Sequence, residues 1–415
     1  MALPYLTPAF PGIGGTIKNR PEDFFVQEVP LYEPAGEGEH VYFEIQKVGV
    51  PTFDAVDRIA RALRVSAREV GYAGLKDARA VTRQVLSIAG VTEDAVMGLS
   101  VPGVTVLWAA RHGNKLRLGH LAGNRFAIKI RGVTPTDVVK LDPVMAELER
   151  RGMPNYFGEQ RFGRRGDNDR LGAALVAGDD LGVLKLLLGT PVARMDDGQT
   201  HQARALFDKG DYEAAMKAMP RRHGMERRVL ARFIKTGRAD AAVRTIDDRI
   251  RRLWVSALQS RLFNEVLAAR AGTIDKLVDG DLAWKHDSGA VFAVTDAAAE
   301  QPRCDAFEVS PSGPLVGYRM TMPAGEALRA EEESFAARGL KPDDFRRTGD
   351  LKVKGARRPL RVKPTDCKLE AGVDGFGPYV TAAFTLPPGS FATVLMRELM
   401  KNEAAETGVG TDAAE

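Results

Sequence analysis

The chain has 415 residues, 44% of them hydrophobic, with 59 basic and 55 acidic side chains, and this length predicts two or three domains with cores of their own. A mean hydropathy of −0.21 with 27% charged residues excludes a membrane protein and a wholly disordered chain, and two cysteines, Cys304 and Cys367, are too few for a disulfide framework. Because prolines interrupt the apolar N-terminal run and no stretch is long enough to span a bilayer, we expect a soluble, cytoplasmic protein.

The first 150 residues alternate between strand and helix patterns. His40–Lys47 alternates apolar with polar residues and predicts a half-buried strand. Thr52 is expected to cap a helix whose apolar residues recur at spacings of three and four. Asn124–Arg131 predicts a further strand, in which Asn124 and Phe126 share one face.

A second, mainly helical region begins near Pro154, and its longest apolar stripe at helical spacing covers Ile250–Ala269. Strand patterns return after Leu351, with a β-rich run over Tyr379–Leu386 and Ser390 as the expected cap of a last helix. A chain that returns to its opening architecture predicts an α+β fold with one domain split around another. The predicted segments are residues 1–153 and 351–401 for the split domain, 154–350 for the insertion, and 402–415 for a disordered acidic tail.

The net charge of +4 is an average over unlike segments. From Asn402 to the end the chain has four acidic residues and no basic one, which leaves the preceding body at about +8. Many arginines lie between Met219 and Arg252, and they include Arg221, Arg222, Arg227, Arg228 and Arg232. Such a run fits either a solvated helical face or a surface that contacts RNA.

The sequence contains no motif for a nucleotide, a dinucleotide cofactor, a zinc protease or a serine hydrolase. Its six histidines do not pair at the helical spacings that bind zinc. We therefore expect no cofactor and no metal, and we expect any catalysis to depend on carboxylates or lysines.

The segment Gly71–Gln84, GYAGLKDARAVTRQ, is the most unusual in the chain. Gly71 and Gly74 allow tight backbone geometry, and Lys76 and Asp77 follow them. A carboxylate beside a cation on such a loop suits nucleophilic or base chemistry. The alternative is that Asp77 merely caps or turns the chain, with Lys76 in solvent.

A second segment, Pro154–Asn168, interleaves aromatic residues with arginines. One interpretation is that Tyr156, Phe157 and Phe162 stack on RNA bases while the arginines contact phosphates. The other is that the aromatics fill a junction between domains.

Several segments together resemble signature sequences of the TruD family of tRNA pseudouridine synthases. They are IKNRPEDFFVQEVP, GYAGLKDARA, RHGNKLRLGHLAGNRF, PNYFGEQRFG and PPGSFATVLMRE, in family order from about residue 17 to 401. The resemblance implies a pseudouridine-synthase core with a mixed or antiparallel sheet, interrupted by a mainly helical insertion in a V-shaped molecule. Relative to the compact bacterial version, the extra residues lie roughly between Gly166 and Asp247.

The resemblance also implies roles for particular residues. Asp77 corresponds to the catalytic aspartate, and Phe24, Asn124, Phe126 and Phe391 are implied to line a uridine pocket. Lys18 is a further candidate for an active-site or phosphate contact, and the alternative is an exposed lysine before a turn.

The implied reaction is isomerisation of a uridine of tRNA, uridine 13 by the resemblance, to pseudouridine without a cofactor. Asp77 would act on a flipped-out base either as nucleophile toward C1′ or as base toward the 2′ proton. We expect a monomer with tRNA as its partner. Two rival functions are an RNA-binding protein without the chemistry and a metal-free nucleosidase that releases uracil.

Overall fold

The computed structural model describes residues 3–351 and 353–402, and its contacts divide the chain into two compact units. One unit, called here the split unit, comprises Tyr5–Asn155 and the chain from Val362 onward. The other, the inserted unit, comprises Tyr156–Arg361 with the first residues up to Pro4. Leu351 lies within the inserted unit, since the strand Ala356–Pro359 pairs there. The predicted acidic tail lies outside the described residues from position 403 onward.

The elements follow one another in chain order. Residues up to 155 form β1 (Phe24–Pro30), β2 (His40–Val48), α1 (Thr52–Leu63), β3 (Gly71–Tyr72), β4 (Val81–Ala89), α2 (Glu93–Met97), β5 (Val104–His112), β6 (Leu121–Arg131), α3 (Val138–Arg151) and β7 (Met153–Pro154). The inserted unit forms α4 (Asn168–Ala177), α5 (Asp180–Leu188), α6 (Gly198–Asp208), α7 (Tyr212–Ala218), α8 (Gly224–Thr236), α9 (Ala239–Val243), α10 (Asp248–Ala269), β8 (Leu282–Lys285), β9 (Val291–Ala293), α11 (Ala297–Asp305), β10 (Val309–Leu315), α12 (Gly325–Ala336) and β11 (Ala356–Pro359). The last elements are β12 (Arg361–Val362), β13 (Thr365–Asp374), β14 (Gly377–Leu386) and α13 (Ala392–Met400).

The split unit is built on one mixed sheet with the strand order β13-β14-β6-β1-β4-β2-β5, and β3 pairs with β4. The central pair, β1 with β4, is parallel, whereas its flanking pairs are antiparallel. Strands from both ends of the chain therefore belong to one sheet, and the predicted α+β class with a mixed sheet is confirmed.

β2 is buried on both faces rather than half-buried as predicted, since Tyr42 and Glu44 are buried as well. Val41, Phe43 and Ile45 of β2 are fully buried, and they join the apolar side of α1 in one cluster. Phe126 of β6 is buried in the alternating pattern of that strand, as the predicted parity required. Thr52 is the first residue of α1 rather than its cap, and its hydroxyl bonds to other segments.

The C-terminal helix begins one residue later than expected. Phe391 is at the N-cap position of α13, and the Ser390 hydroxyl has no hydrogen-bond partner in the described part of the chain. The predicted cap at Ser390 is therefore wrong. The strand before it is confirmed as β14, which covers Gly377–Leu386.

The inserted unit is mainly helical, and α10 is its longest helix. The helix predicted from the apolar stripe is confirmed, and Asp247 caps it by accepting a hydrogen bond from the Arg249 backbone N–H. Trp254 and Leu258 of α10 are buried in two different apolar clusters, so α10 joins both. Within residues 3–351 and 353–402, no helix is long and apolar enough to cross a membrane.

Candidate functional site

Asp77 lies on the loop that joins β3 to β4 in the split unit. The first residue of this segment, Gly71, is a glycine because neighbouring atoms leave no room for a side chain, and not because the backbone turns there. A Cβ at Gly71 would lie 2.4 Å from the Leu116 carbonyl oxygen and 2.5 Å from Ser87 Oγ. The glycine therefore fixes where β3 lies against its neighbours, and thereby where the loop begins.

Two donors hold the Asp77 carboxylate. Lys18 forms an ion pair with Oδ2, and the Arg79 backbone N–H donates to Oδ1 at 2.9 Å. Burial alone would raise the pKa of Asp77. The charge and hydrogen bond of Lys18, with the Arg79 N–H and the nearby charge of Lys47, outweigh burial and lower that pKa below its ordinary 3.8. Asp77 is therefore ionised at neutral pH.

Lys18 is positioned by an unusual backbone conformation. Its φ of 59° lies in the left-handed region, which residues other than glycine seldom adopt. Its side chain is only 10% exposed, and Nζ lies 4.4 Å from the centre of the Phe24 ring. Lys18 is thus a buried partner of Asp77 and not a solvated lysine before a turn.

A buried ion-pair network anchors the segment that carries Lys18 and Phe24. The Arg131 guanidinium donates to both oxygens of Asp23, at 2.8 and 2.6 Å, and it also pairs with Asp374. Asp23 directly precedes Phe24 in the chain, and its side chain is 1% exposed. This bidentate pair fixes the start of β1 against β6.

Lys47 is a functional candidate that the sequence reasoning missed. Its ammonium donates to the backbone carbonyls of Val50, Lys76 and Asp77, at 2.8, 3.3 and 3.1 Å. Burial lowers the pKa of Lys47 to about 8, although the Asp77 carboxylate opposes that shift. The sequence did contain a sign of this role. Lys47 lies on the same face of β2 as the apolar residues of the strand, and a cation on a buried face needs buried hydrogen-bond partners.

A second buried pair fixes the other side of the loop. Lys76 Nζ lies 2.6 Å from Glu28 Oε2, with side-chain exposures of 5% and 1%. The Val85 N–H donates to the other Glu28 oxygen at 3.3 Å. Burial raises the pKa of Glu28 above its ordinary 4.5, although Lys76 opposes the shift. Lys76 is therefore not in solvent. The sequence sign of this pair that we missed is that Glu28 lies on the same face of β1 as Phe24.

The aromatic candidates lie on the same buried face of the sheet. Phe24 and Phe126 meet edge to face with ring centres 6.4 Å apart, and Phe384 stacks on Phe126 at 5.4 Å. Both candidates are buried, at 4% and 7% exposure. These rings form an apolar wall, and Lys18, which lies above Phe24, links that wall to Asp77.

Asn124 lies two residues before Phe126 on β6, directly opposite Glu28 of β1. Its Oδ1 is buried, and no hydrogen-bond partner for it occurs within residues 3–351 and 353–402. A buried acceptor without a partner is costly, which points to a donor supplied by a ligand. Phe391, the remaining predicted pocket residue, lies at the start of α13, five residues after the end of β14.

The aromatics of the Pro154–Asn168 segment are buried. Tyr156, Phe157 and Phe162 are 1%, 9% and 0% exposed. Arg261 lies over the Phe162 ring at 3.8 Å, and the Asn264 side chain bonds to both backbone groups of Phe157 at 2.8 and 2.9 Å. Packing explains the burial of these three aromatics, and contact with RNA bases stays a prediction.

The described residues contain no group of three or more histidine, cysteine or acidic side chains placed to hold a metal ion. A family model described as "tRNA pseudouridine synthase D (TruD)" matches residues 2–399. The chain is similar to a protein of Geobacter metallireducens named tRNA pseudouridine synthase D, at 48% identity over 96% of this chain and 97% of that protein. A protein of the same name from Syntrophotalea carbinolica is 42% identical over 96% and 99% of the two chains.

The fold is also similar to a crystal structure from Methanosarcina mazei assigned to tRNA pseudouridine synthase D, with a TM-score of 0.86 and 27% identity. That match covers 97% of both chains. Since all of these matches span nearly the full length of both partners, the long insertion is not peculiar to this chain.

Proposed function

We propose, because this chain belongs to the tRNA pseudouridine synthase D (TruD) family, that it isomerises a uridine of tRNA to pseudouridine, with Asp77 as its catalytic residue. The observation that carries the proposal is a partly buried, ionised carboxylate held by Lys18, which also contacts the apolar wall at Phe24. Pseudouridine formation needs an anion near the sugar and an apolar place for the detached base. The target position proposed is uridine 13, which the family resemblance implies.

The reaction exchanges no electrons and no external group. The N1–C1′ bond breaks, the base turns while it stays bound, and C5 bonds to C1′. The proton on C5 leaves to a base, and N1 ends with a proton. Because every atom of the nucleotide is retained except that exchanged proton, protein side chains that bind, orient and move protons suffice.

Asp77 acts on the ribose in one of two ways. As a nucleophile it attacks C1′ while the base departs, and as a base it removes the proton from C2′. Both routes begin from the ionised carboxylate that Lys18 maintains. Lys18 also keeps the Oδ2 atom of Asp77 fixed, so little reorganisation precedes the chemical step.

The neighbouring side chains are proposed to hold the flipped base. Phe24 and Phe126 would form the apolar wall behind a ring removed from its stack, and Phe391 is proposed from the family resemblance to line the same pocket. A uracil N–H donating to Asn124 Oδ1 would satisfy that buried oxygen. Such a bond distinguishes uracil from cytosine, whose N3 has no proton to donate.

The test is an Asp77→Asn variant with unmodified tRNA transcript as substrate. We expect the variant to bind the transcript and to form no pseudouridine, as measured by carbodiimide-based mapping. Turnover close to that of the parent enzyme would overturn the role of Asp77. The position mapped in the parent reaction tests uridine 13 separately, and release of free uracil would identify a nucleosidase instead.

Binding itself provides a second test. Phosphate-dominated binding loses affinity steeply as salt rises, because neutralised phosphates release counterions. We expect the affinity of the Asp77→Asn variant for tRNA to fall linearly with salt on logarithmic axes. A flat titration from low to physiological ionic strength would contradict RNA as the substrate.

A further inference from the structure

The positive charge of this protein is concentrated in one short stretch of the inserted unit. Residues 217–235 contain seven basic side chains and one acidic one, Glu226, which gives that stretch a net charge of +6. The whole chain carries only +4, so the other residues together are slightly acidic. The stretch covers the end of α7, the following turn and nearly all of α8.

Some of these cations have structural roles. Arg227 turns inward and donates to the Met216 and Met219 carbonyls at the end of α7, at 2.9 and 2.5 Å. Arg222 pairs with Asp197. These contacts satisfy carbonyls and a carboxylate within the unit, so neither arginine needs a partner from outside.

Three other cations form a stripe along the solvent side of α8, called here the α8 stripe: Arg228, Arg232 and Lys235. They are spaced at four and three residues, which places them on one face of the helix. The opposite face packs Val229, Leu230 and Phe233 into the core. Hydrophobic burial therefore fixes which side chains α8 presents to solvent.

The α8 stripe is unpaired within the described part of the chain, where no carboxylate lies within ion-pair distance of its three cations. Two other exposed arginines of the same unit differ, since Arg238 and Arg244 both pair with Asp240. Like charges at these helical spacings destabilise a helix. Because no carboxylate among the described residues offsets this repulsion, the helix is suited to bind an external polyanion.

The spacing and surroundings of the stripe restrict that partner. Its cations spread over about 10 Å along the helix axis, too far for one small anion to reach all of them. The remaining exposed residues of α8 are Gly224 and Ala231, so no large apolar side chain is fully exposed to enter a membrane. The partner that fits this spacing is a polymer with repeated negative charges. Guanidinium groups bind phosphates in bidentate geometry.

We infer that the α8 stripe binds the phosphate backbone of the substrate RNA. This inference rests on the proposed function, because that function makes RNA the polyanion available to the enzyme. The stripe and Asp77 belong to different units of the fold. Cations that neutralise phosphates add affinity, so we expect the stripe to act on binding and not on the chemical step.

The test is a triple variant, Arg228→Gln, Arg232→Gln and Lys235→Gln, since glutamine keeps helix propensity and removes charge. Binding of unmodified tRNA transcript is measured by fluorescence anisotropy over a range of salt concentrations, in the Asp77→Asn background to prevent turnover. If all three cations contact duplex phosphates, the slope of log K against log salt falls in magnitude by about 2.7, or by about 2.1 for single-stranded phosphates. In the active enzyme the same variant should raise KM for tRNA.

A matched control replaces Arg238, Arg244 and Arg346 by glutamine. These are equally exposed arginines of the inserted unit, but each pairs with a carboxylate. We expect the control to change the slope much less than the stripe variant does. An unchanged slope in the stripe variant, or an equal change in the control, would overturn the inference.

Two further measurements keep the outcomes separable. Thermal unfolding of the stripe variant should match or exceed that of the parent, because like-charge repulsion is removed, so weaker binding cannot be attributed to misfolding. If the parent enzyme formed no pseudouridine on any tRNA, the proposed function would fail. The salt slopes would still decide whether the α8 stripe contacts RNA.

Discussion

Replacing Lys18 by methionine separates the electrostatic role of this lysine from its bulk. Burial raises the pKa of Asp77, and the Lys18 charge is the largest effect that lowers it. Without that charge, only the Arg79 N–H and the charge of Lys47 still oppose burial, so we expect the pKa of Asp77 to rise. Methionine retains an unbranched apolar stem against Phe24.

The sign follows from which form of Asp77 is active. In the parent enzyme the folded pKa lies below 3.8, so activity that needs the carboxylate is present above that pH and lost only below it. In Lys18→Met the acidic limb moves upward, so the variant loses activity at acidic pH values at which the parent is still active. The defect should shrink as pH rises.

The assay is single-turnover release of tritium from tRNA labelled at C5 of uridine, from pH 5 to pH 8.5. An Arg79→Ala variant is the control, since it keeps the backbone N–H that donates to Asp77 and removes only an exposed side chain. Its acidic limb should coincide with that of the parent. If the limb of Lys18→Met coincided too, Lys18 would not be what keeps Asp77 ionised.

Three other variants test neighbouring contacts. Asn124→Ala removes a buried oxygen that has no partner in the described structure. The value of kcat/KM should therefore fall, while the free energy of unfolding in urea should stay the same or rise. Clear destabilisation would refute a ligand-directed role for Asn124. Phe126→Ala, at a residue 7% exposed between two other rings, should cost about 3–5 kcal/mol in unfolding free energy, and a loss under 1 kcal/mol would contradict the packing. Glu28→Gln leaves the Lys76 ammonium buried without its carboxylate and should cost about 3–5 kcal/mol in unfolding free energy. Adding Lys76→Met should restore part of that free energy. No recovery would mean that loss of the ion pair is not the cause.

Periodicity predicted the long elements of this fold well. The strand His40–Lys47 and the helix Ile250–Ala269 lie within β2 and α10. Both have a regular apolar pattern over many residues, although the structure buries more than one face of each. The caps were less accurate, because hydroxyl groups also bond elsewhere: the Thr52 hydroxyl donates to Gln84 and accepts from the Lys76 N–H.

The candidate site was only partly predictable, for a related reason. Sequence segments pointed to Phe24, Phe126 and Asn124, which lie on paired strands. They also pointed to Asp77, which is linked to Phe24 through Lys18. The buried cations that hold the loop were missed, since Lys47 is 29 residues from the carbonyl of Lys76 that it binds. No local pattern encodes such a long-range bond. A charged residue on the apolar parity of a strand is the one local sign of it.

The split of the sheet between the two ends of the chain has a consequence for biosynthesis. β6 is complete at Arg131, but its partner β14 ends only at Leu386. At about 5–20 residues per second, the ribosome needs roughly 13–50 s to make the intervening chain. During that interval one edge of β6 has no β14 to pair with, and an unpaired apolar edge invites association with other chains. The sheet can therefore close only after the whole inserted unit has been made.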